Sequence, residues 1–367
     1  MGNIIVAMIR VAKPYVPPEV FELLKDCAET GYLTQGKKVA EFEALLTNYL
    51  GAEAVAVSSG TAALHLALLA LGIGPGDRVA VPDFTFPATA NAVEHCGAKT
   101  VLVDIELPNM NISEAELRRL SGIRAVVVVH SFGLPASAKL PDGALLVEDA
   151  ACALGAELDG KKCATLGRAG AISFHPRKIL TTCEGGAVVT RDDTLAELVR
   201  SLRFHGAEDT GRGLSFRRAG FNYKLSDVHA SFGIAQMRVL DQMIAARRVL
   251  ARKYLELLRD VEEVIPQSYS TAHVYQAFVV LLHKRVDRDA LIISMRQRGI
   301  EVGIGAHALH CQPYYQEKYR VKTAELPNSY YAYKQALALP LYPGLAVEEQ
   351  LTVVRELKQA IQECRRW

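Results

Sequence analysis

The stretch ALLVEDAACALGA at residues 144–156, followed by AISFHPRKILTTCEGGAVVT at residues 171–190, decides the fold. Each opens with a short apolar run rich in β-formers, too short for a helix and bounded by polar or glycine residues, and so reads as a buried strand. The first run ends on two acids, Glu148 and Asp149. The second leaves its strand at Ser173, reaches Lys178, and passes the pair Gly185 and Gly186 before a third apolar run.

Working outward, similar runs stand at AVAVSS (54–59), RVAVPDF (78–84), KTVLVDI (99–105) and AVVVVHS (125–131). Helix-like segments lie between them: AALHLALLALG (62–72), PATANAVEHCG (87–97) and the stretch after Ser113, where Ser113 and Glu116 form a capping-box pattern. Strands alternating with helices predict an α/β fold built on a mainly parallel seven-stranded sheet flanked by helices. In such a sheet ligands bind beyond the carboxyl ends of the strands, where the polar residues are found here. Residues 226–259 read as one long helix, followed by the strand-like HVYQAFVVLL (273–282) and a mixed tail with the segment AHALHCQPYYQEKY (306–319). A boundary near Asp241 divides a large domain, 1–240, from a smaller C-terminal α+β domain, 241–367.

Composition narrows the function. The chain has 367 residues, half of them apolar and 22% charged, which sets disorder aside. Lys and Arg total 42 against 40 Asp and Glu, so no overall field favours nucleic acid or an acidic membrane. The seven cysteines are scattered without metal-ligand spacing and read as reduced thiols. The opening MGNIIVAMIRVAKP lacks a charged leader and a cleavage site, and no run reaches membrane-spanning length, so a soluble cytoplasmic protein is expected.

Three motifs carry chemistry. In SSGTAALHLALLALG (58–72) a strand turns at Gly60 into a helix whose first amides, near Thr61, make a phosphate seat; a plain glycine turn is the simpler alternative. LGIGPGDRV (71–79) has glycines after a helix and before a strand, the reverse of a dinucleotide loop, which disfavours NAD. Acids such as Asp149 often only cap helices, and lysines such as Lys178 are often surface charges. Together on one sheet edge, however, a phosphate seat, a carboxylate and a lysine are the parts that pyridoxal phosphate requires. Lys178 would supply the amine, Asp149 would keep the ring nitrogen protonated and Ser173 would donate to the phosphate, while Phe86 reads equally as a cover for a ring face or as a core aromatic.

Read in order, GYLTQGKKVAEFEALLTNYLGAEAVAVSSGTAALHLAL (31–68), PDFTFPATANAVEHCGAKTVLVDIE (82–106), EDAACALGA (148–156), AISFHPRKILTTCEGGAVVTRD (171–192), FNYKLSDVHASFGIAQM (221–237), HALHCQPYYQ (307–316) and LALPLYPGL (337–345) resemble the sugar aminotransferases of the DegT (StrS-like) family, fold-type I pyridoxal-phosphate enzymes. The resemblance implies that Lys178 joins the cofactor and shuttles protons, that Asp149 partners the pyridine nitrogen and that Phe86 stacks on the ring. It implies that Ser173 and the Thr61 and Ala62 amides hold the phosphate. It also implies that Asn222 reaches the phosphate across a homodimer interface. The family's ping-pong reaction takes nitrogen from an amino acid, usually glutamate, and gives it to the keto group of a nucleotide-linked deoxysugar in amino-sugar biosynthesis. The family's dehydratases carry histidine at the lysine position, so Lys178 argues against that branch. A cyclitol or aminobenzoate branch and a cofactor-binding regulator without turnover stay open.

Two places depart from the family pattern. Cys152 stands where Gln or His is common after EDAA, and is not taken as catalytic. In HALH, His307 and His310 fall in the family's substrate segment but at shorter spacing, so ordinary surface or core histidines are an equal reading.

Overall fold

A computed structural model describes residues 8–267 and 269–365; most of the MGNIIVAMI stretch read above for a leader lies outside the described residues. All seven predicted runs become strands of one sheet: β1 Glu53–Val57, β2 Arg78–Pro82, β3 Lys99–Val103, β4 Ala125–Val129, β5 Leu145–Asp149, β6 Ala169–Ser173 and β7 Gly186–Thr190, in the order β1-β7-β6-β5-β4-β2-β3. Only β7 runs antiparallel, to both β1 and β6. Its loop explains this: residues 174–185 contain no crossover helix, and without a crossover a chain returns antiparallel to its own preceding strand.

Alternation along each strand sends side chains to two apolar layers. Val55 and Val57 of β1 face one layer with Leu64 and Leu66, while Ala54 and Ala56 face the other with Phe42, Ile172 and Phe174. The helix Gly60–Ala70, apolar on all sides, is correspondingly buried from Ala62 to Leu68. Asp227 ties the second layer together: its Oδ1 accepts from the Gly36 and Val39 amides (2.8 and 3.2 Å) at the positive end of the helix Lys37–Leu50.

The helix expected over 226–259 is two helices, Asp227–Met237 and Leu240–Leu257. The chain bends at Val239, whose amide donates to the Gln236 carbonyl, and the bend lets Ile234, Leu240 and Ile244 enter one apolar cluster. The capping box is only half formed. The Ser113 hydroxyl accepts from the Glu116 amide, but Glu116 turns outward to Arg119.

Beyond the second helix, β8 Val264–Pro266, β9 Phe278–Leu282 and β10 Ala336–Leu339 form an antiparallel sheet. Helices Arg288–Gln297 and Val347–Glu363 contribute Leu291, Met295 and Leu357 to a cluster with Tyr254 and Phe278. Among the described residues no helix is long and apolar enough to cross a membrane.

Candidate active site

The turn expected to seat a phosphate lies where β1 gives way to its helix. Ser59 caps that helix in extended conformation and its hydroxyl accepts from the Ala62 amide at 3.1 Å. The remaining first-turn amides, including that of Thr61, have no acceptor within the helix. Two glycines let neighbouring strands close on this turn. A Cβ on Gly60 would lie 2.7 Å from the Ser173 Cβ, and one on Gly186 would lie 2.5 Å from the Ser59 carbonyl oxygen. Ser173 is therefore pressed against the positive end of the helix, forming a cradle of backbone donors and one hydroxyl suited to a phosphate.

The two acids of β5 divide according to the pleat. Glu148 is fully buried and saturated: Oε1 accepts from the Ala164 amide (2.7 Å) and meets His130 Nε2 (3.0 Å), while Oε2 accepts from the Leu166 and Gly167 amides (2.7 and 2.8 Å). Because the Ala136 amide donates to His130 Nδ1, the ring proton sits on Nε2 and donates to Glu148. Asp149 faces the other way. It accepts from the Thr89 hydroxyl (2.7 Å) and the Ala151 amide (3.1 Å), which fix its direction and leave a carboxylate acceptor for a ligand. Thr89 spends its one proton on Asp149, so Thr85, 3.0 Å away, donates to Thr89. On the neighbouring strand Ala171 pairs with Asp149, and Ser173 lies two residues farther toward the crevice.

Lys178 is carried by the loop between β6 and β7, which is pinned from several sides. Gln236 clamps Thr181 with both amide groups, accepting from its N–H (3.1 Å) and donating to its carbonyl (2.6 Å). Gln276 donates to the Arg177 carbonyl at 2.6 Å, and the Lys178 amide donates to the His175 carbonyl at 2.8 Å. The half-buried Lys178 Nζ donates to Cys152 Sγ at 3.3 Å.

Phe86 is 66% exposed at the crevice mouth, with its ring centroid 6.4 Å from that of His307. The contact arises because Phe84–Thr85 pairs with His307–Ala308. His307 is half-buried, and that burial lowers its basicity below the usual imidazole range. His310 is buried instead. Its backbone amide and Nδ1 both donate to Asp83, each at 2.7 Å, so it holds its segment to the end of β2 and has little surface open to the crevice.

Asn222 is exposed, and its flanking residues are not. Phe221 and Tyr223 stack at 4.9 Å beside His65, while the Tyr223 carbonyl accepts from the Ser58 amide at 2.8 Å. The strand pairing that anchors Asn222 thus leaves its side chain pointing away from the core, where it accepts from Lys224 at 2.8 Å. The structure thus gathers Thr61, Ala62, Ser173, Asp149 and Lys178 at the ends of β1, β5 and β6. Residues that sequence reasoning passed over are Thr89, Gln236 and Gln276, which orient the others; the hydroxyls of TFPAT were the one local signal.

The model of the DegT/DnrJ/EryC1/StrS aminotransferase family matches residues 15–358. A GDP-perosamine synthase from Caulobacter vibrioides is 34% identical over 370 residues, covering 96% of this chain and 98% of the relative. A DegT DnrJ EryC1 StrS aminotransferase from Brucella abortus superimposes with a TM-score of 0.85 at 30% identity, covering 94% of this chain and 95% of that one. The PMP form of a sugar aminotransferase from Streptococcus pneumoniae, described as putative, shares the fold with a TM-score of 0.91 at 21% identity, over 97% of this chain and 98% of that one.

Proposed function

The chain belongs to the DegT/DnrJ/EryC1/StrS aminotransferase family and is a pyridoxal-phosphate-dependent sugar aminotransferase, and from that premise we propose that it carries nitrogen from glutamate to the keto group of a nucleotide-linked deoxysugar. One observation carries the reading: a glycine-lined helix start pressed on Ser173, an open carboxylate at Asp149 and the Lys178 amine share one edge of the sheet. A relative named for a GDP-linked sugar supports a nucleotide-linked substrate.

The residues fit the cofactor. Ser173 and the Thr61 amide would hold its phosphate, beside an Ala62 amide that Ser59 already occupies; Asp149 would accept from its ring nitrogen and Phe86 would cover a ring face. Pyridoxal phosphate, when bound, supplies a carbonyl for the migrating nitrogen and a ring that accepts the electron pair left when a carbon–hydrogen bond breaks. Asp149 keeps that ring protonated by its nearby negative charge. Lys178 Nζ would serve as the base that takes a proton from carbon and as the acid that returns it. His307, uncharged near neutral pH, offers a neutral ring to a sugar hydroxyl, while His310 braces the segment on Asp83.

We read residues 1–240 and 241–367 as two domains, a division supported by the separate antiparallel sheet and its apolar cluster. The outward Asn222 and the exposed Phe216 support a homodimer in which Asn222 serves the partner's phosphate seat. The cytoplasm is the proposed compartment, in keeping with seven scattered cysteines.

Nitrogen-labelled glutamate incubated with the loaded enzyme and a panel of nucleotide-linked keto-deoxysugars tests the proposal. Labelled amino-sugar with matching release of 2-oxoglutarate is expected. Glutamate turnover with a cyclitol ketone but with no nucleotide sugar would move the enzyme to the cyclitol branch, and no turnover with any acceptor would favour a regulator.

A further inference from the structure

The contact between Lys178 and Cys152 has no place in the transamination steps. Among the hydrogen bonds found for the described residues, it is the one that joins a lysine amine to a sulfur, with Nζ 3.3 Å from Sγ. The pair is not a chance meeting of two mobile side chains. Cys152 lies in the turn in which the Ala153 amide donates to the Ala150 carbonyl, and its own carbonyl packs on Gly133, where a Cβ would come within 2.9 Å. Lys178 lies in a turn held by Gln276, and the Gln276 amide in turn donates to the Phe132 carbonyl beside Gly133. Both partners are thus anchored to the same patch of backbone. Cys152 is also partly open to solvent, unlike the buried Cys27, Cys96 and Cys163.

We propose that Cys152 and Lys178 form a reversible oxidative modification site, in which a peroxide joins sulfur to nitrogen and withdraws the lysine from cofactor binding. In the first step the Cys152 thiol is oxidised by a peroxide: an oxygen is inserted into the S–H bond to give a sulfenic acid, and the peroxide O–O bond is reduced to water. In the second step the Lys178 amine lone pair attacks that sulfur, the S–O bond breaks, and hydroxide leaves with the amine proton as water. The product is an S–N bond of the kind that sulfenic acids make with nearby nitrogens. Two equivalents of a thiol reductant reverse it by forming a disulfide and restoring thiol and amine. A Gln or His at position 152 has no sulfur and makes no such bond, so the site belongs to this chain's departure from the common pattern. The link itself does not depend on the aminotransferase reading; the expectation that bound cofactor blocks it rests on that reading.

The full-length protein, with and without pyridoxal phosphate, is treated with hydrogen peroxide and digested with trypsin. The unloaded protein is expected to yield a cross-linked peptide two hydrogens lighter than its parts, uncleaved at Lys178 and fragmenting to a Cys152–Lys178 bond. The link persists in Cys183→Ser, disappears in Cys152→Ala and is reversed by dithiothreitol, which also restores the cofactor binding that peroxide removed. Peroxide that oxidises Cys152 to higher acids without any link, or that links Lys178 equally in Cys152→Ala, overturns the proposal. A link that forms equally in loaded and unloaded protein leaves the modification standing and counts against Lys178 as the cofactor lysine.

Discussion

The two faces of β5 at its carboxyl end hold adjacent acids with opposite fates. On one face Glu148 has every strong acceptor position filled by His130 and three amides of the loop 164–167; on the other Asp149 takes two hydrogen bonds and keeps acceptor capacity to spare. Asp83 with His310 and Gln236 with Thr181 belong to the first kind, Ser173 and Lys178 to the second. The difference teaches that a buried polar group with all its partners supplied by the protein holds the frame, while one left short of partners is available for chemistry.

The comparison predicts separable losses. Asp149→Asn removes the charge that keeps a ring nitrogen protonated but retains an acceptor, so kcat should fall about 100-fold or more with little change in the unfolding midpoint. Steady-state assay beside urea unfolding checks this; a large loss of stability would make Asp149 a frame residue. Glu148→Gln presents an amide NH2 to donors it cannot accept from, and should cost about 3 kcal/mol of stability while kcat changes less than about tenfold. A hundredfold loss of kcat at unchanged stability would erase the distinction between the faces.

Gly60→Ala presses a methyl group on Ser173 and should weaken pyridoxal-phosphate binding about tenfold, measured by fluorescence titration. Unchanged affinity would mean that the cradle is not the phosphate seat. At any single pH near neutrality the smallest effect is that of a buried histidine. Burial pushes His273 down to about 3 from 6.5, so between those values the unfolded chain binds a proton that the native chain does not. Stability contributed by the neutral ring is therefore lost as pH falls through that window, by at most about 1.4 kcal/mol per unit. The urea midpoint of His273→Gln should fall less steeply with acid than that of the wild type; parallel slopes would show that another group carries the acid sensitivity.

Much of the fold was legible because each strand is a short apolar run with its own punctuation, and the polar ends of β1, β5 and β6 marked the site. The antiparallel return of β7 was not, because an apolar run shows that a strand forms but not in which direction it pairs. Nor was the bend at Val239, which depends on what Leu240 packs against rather than on local preference. Asp149 and Lys178 could be picked out by position, but the pins that aim them, Thr89, Gln236 and Gln276, lie 60, 55 and 99 residues from the groups they hold and carry no local signature. Cys152 was visible as a departure in EDAAC; that it touches Lys178, 26 residues on, was not.

The central claim is that Lys178 carries the cofactor for amino transfer. Visible absorption of wild type and Lys178→Ala with pyridoxal phosphate, before and after glutamate, tests it most directly. Wild type should show a band from lysine-joined cofactor that glutamate converts to the shorter-wavelength band of the aminated form, and Lys178→Ala should show neither the joined band nor rapid conversion. A wild-type band that no amino donor alters, or a mutant that converts as fast as wild type, would contradict it.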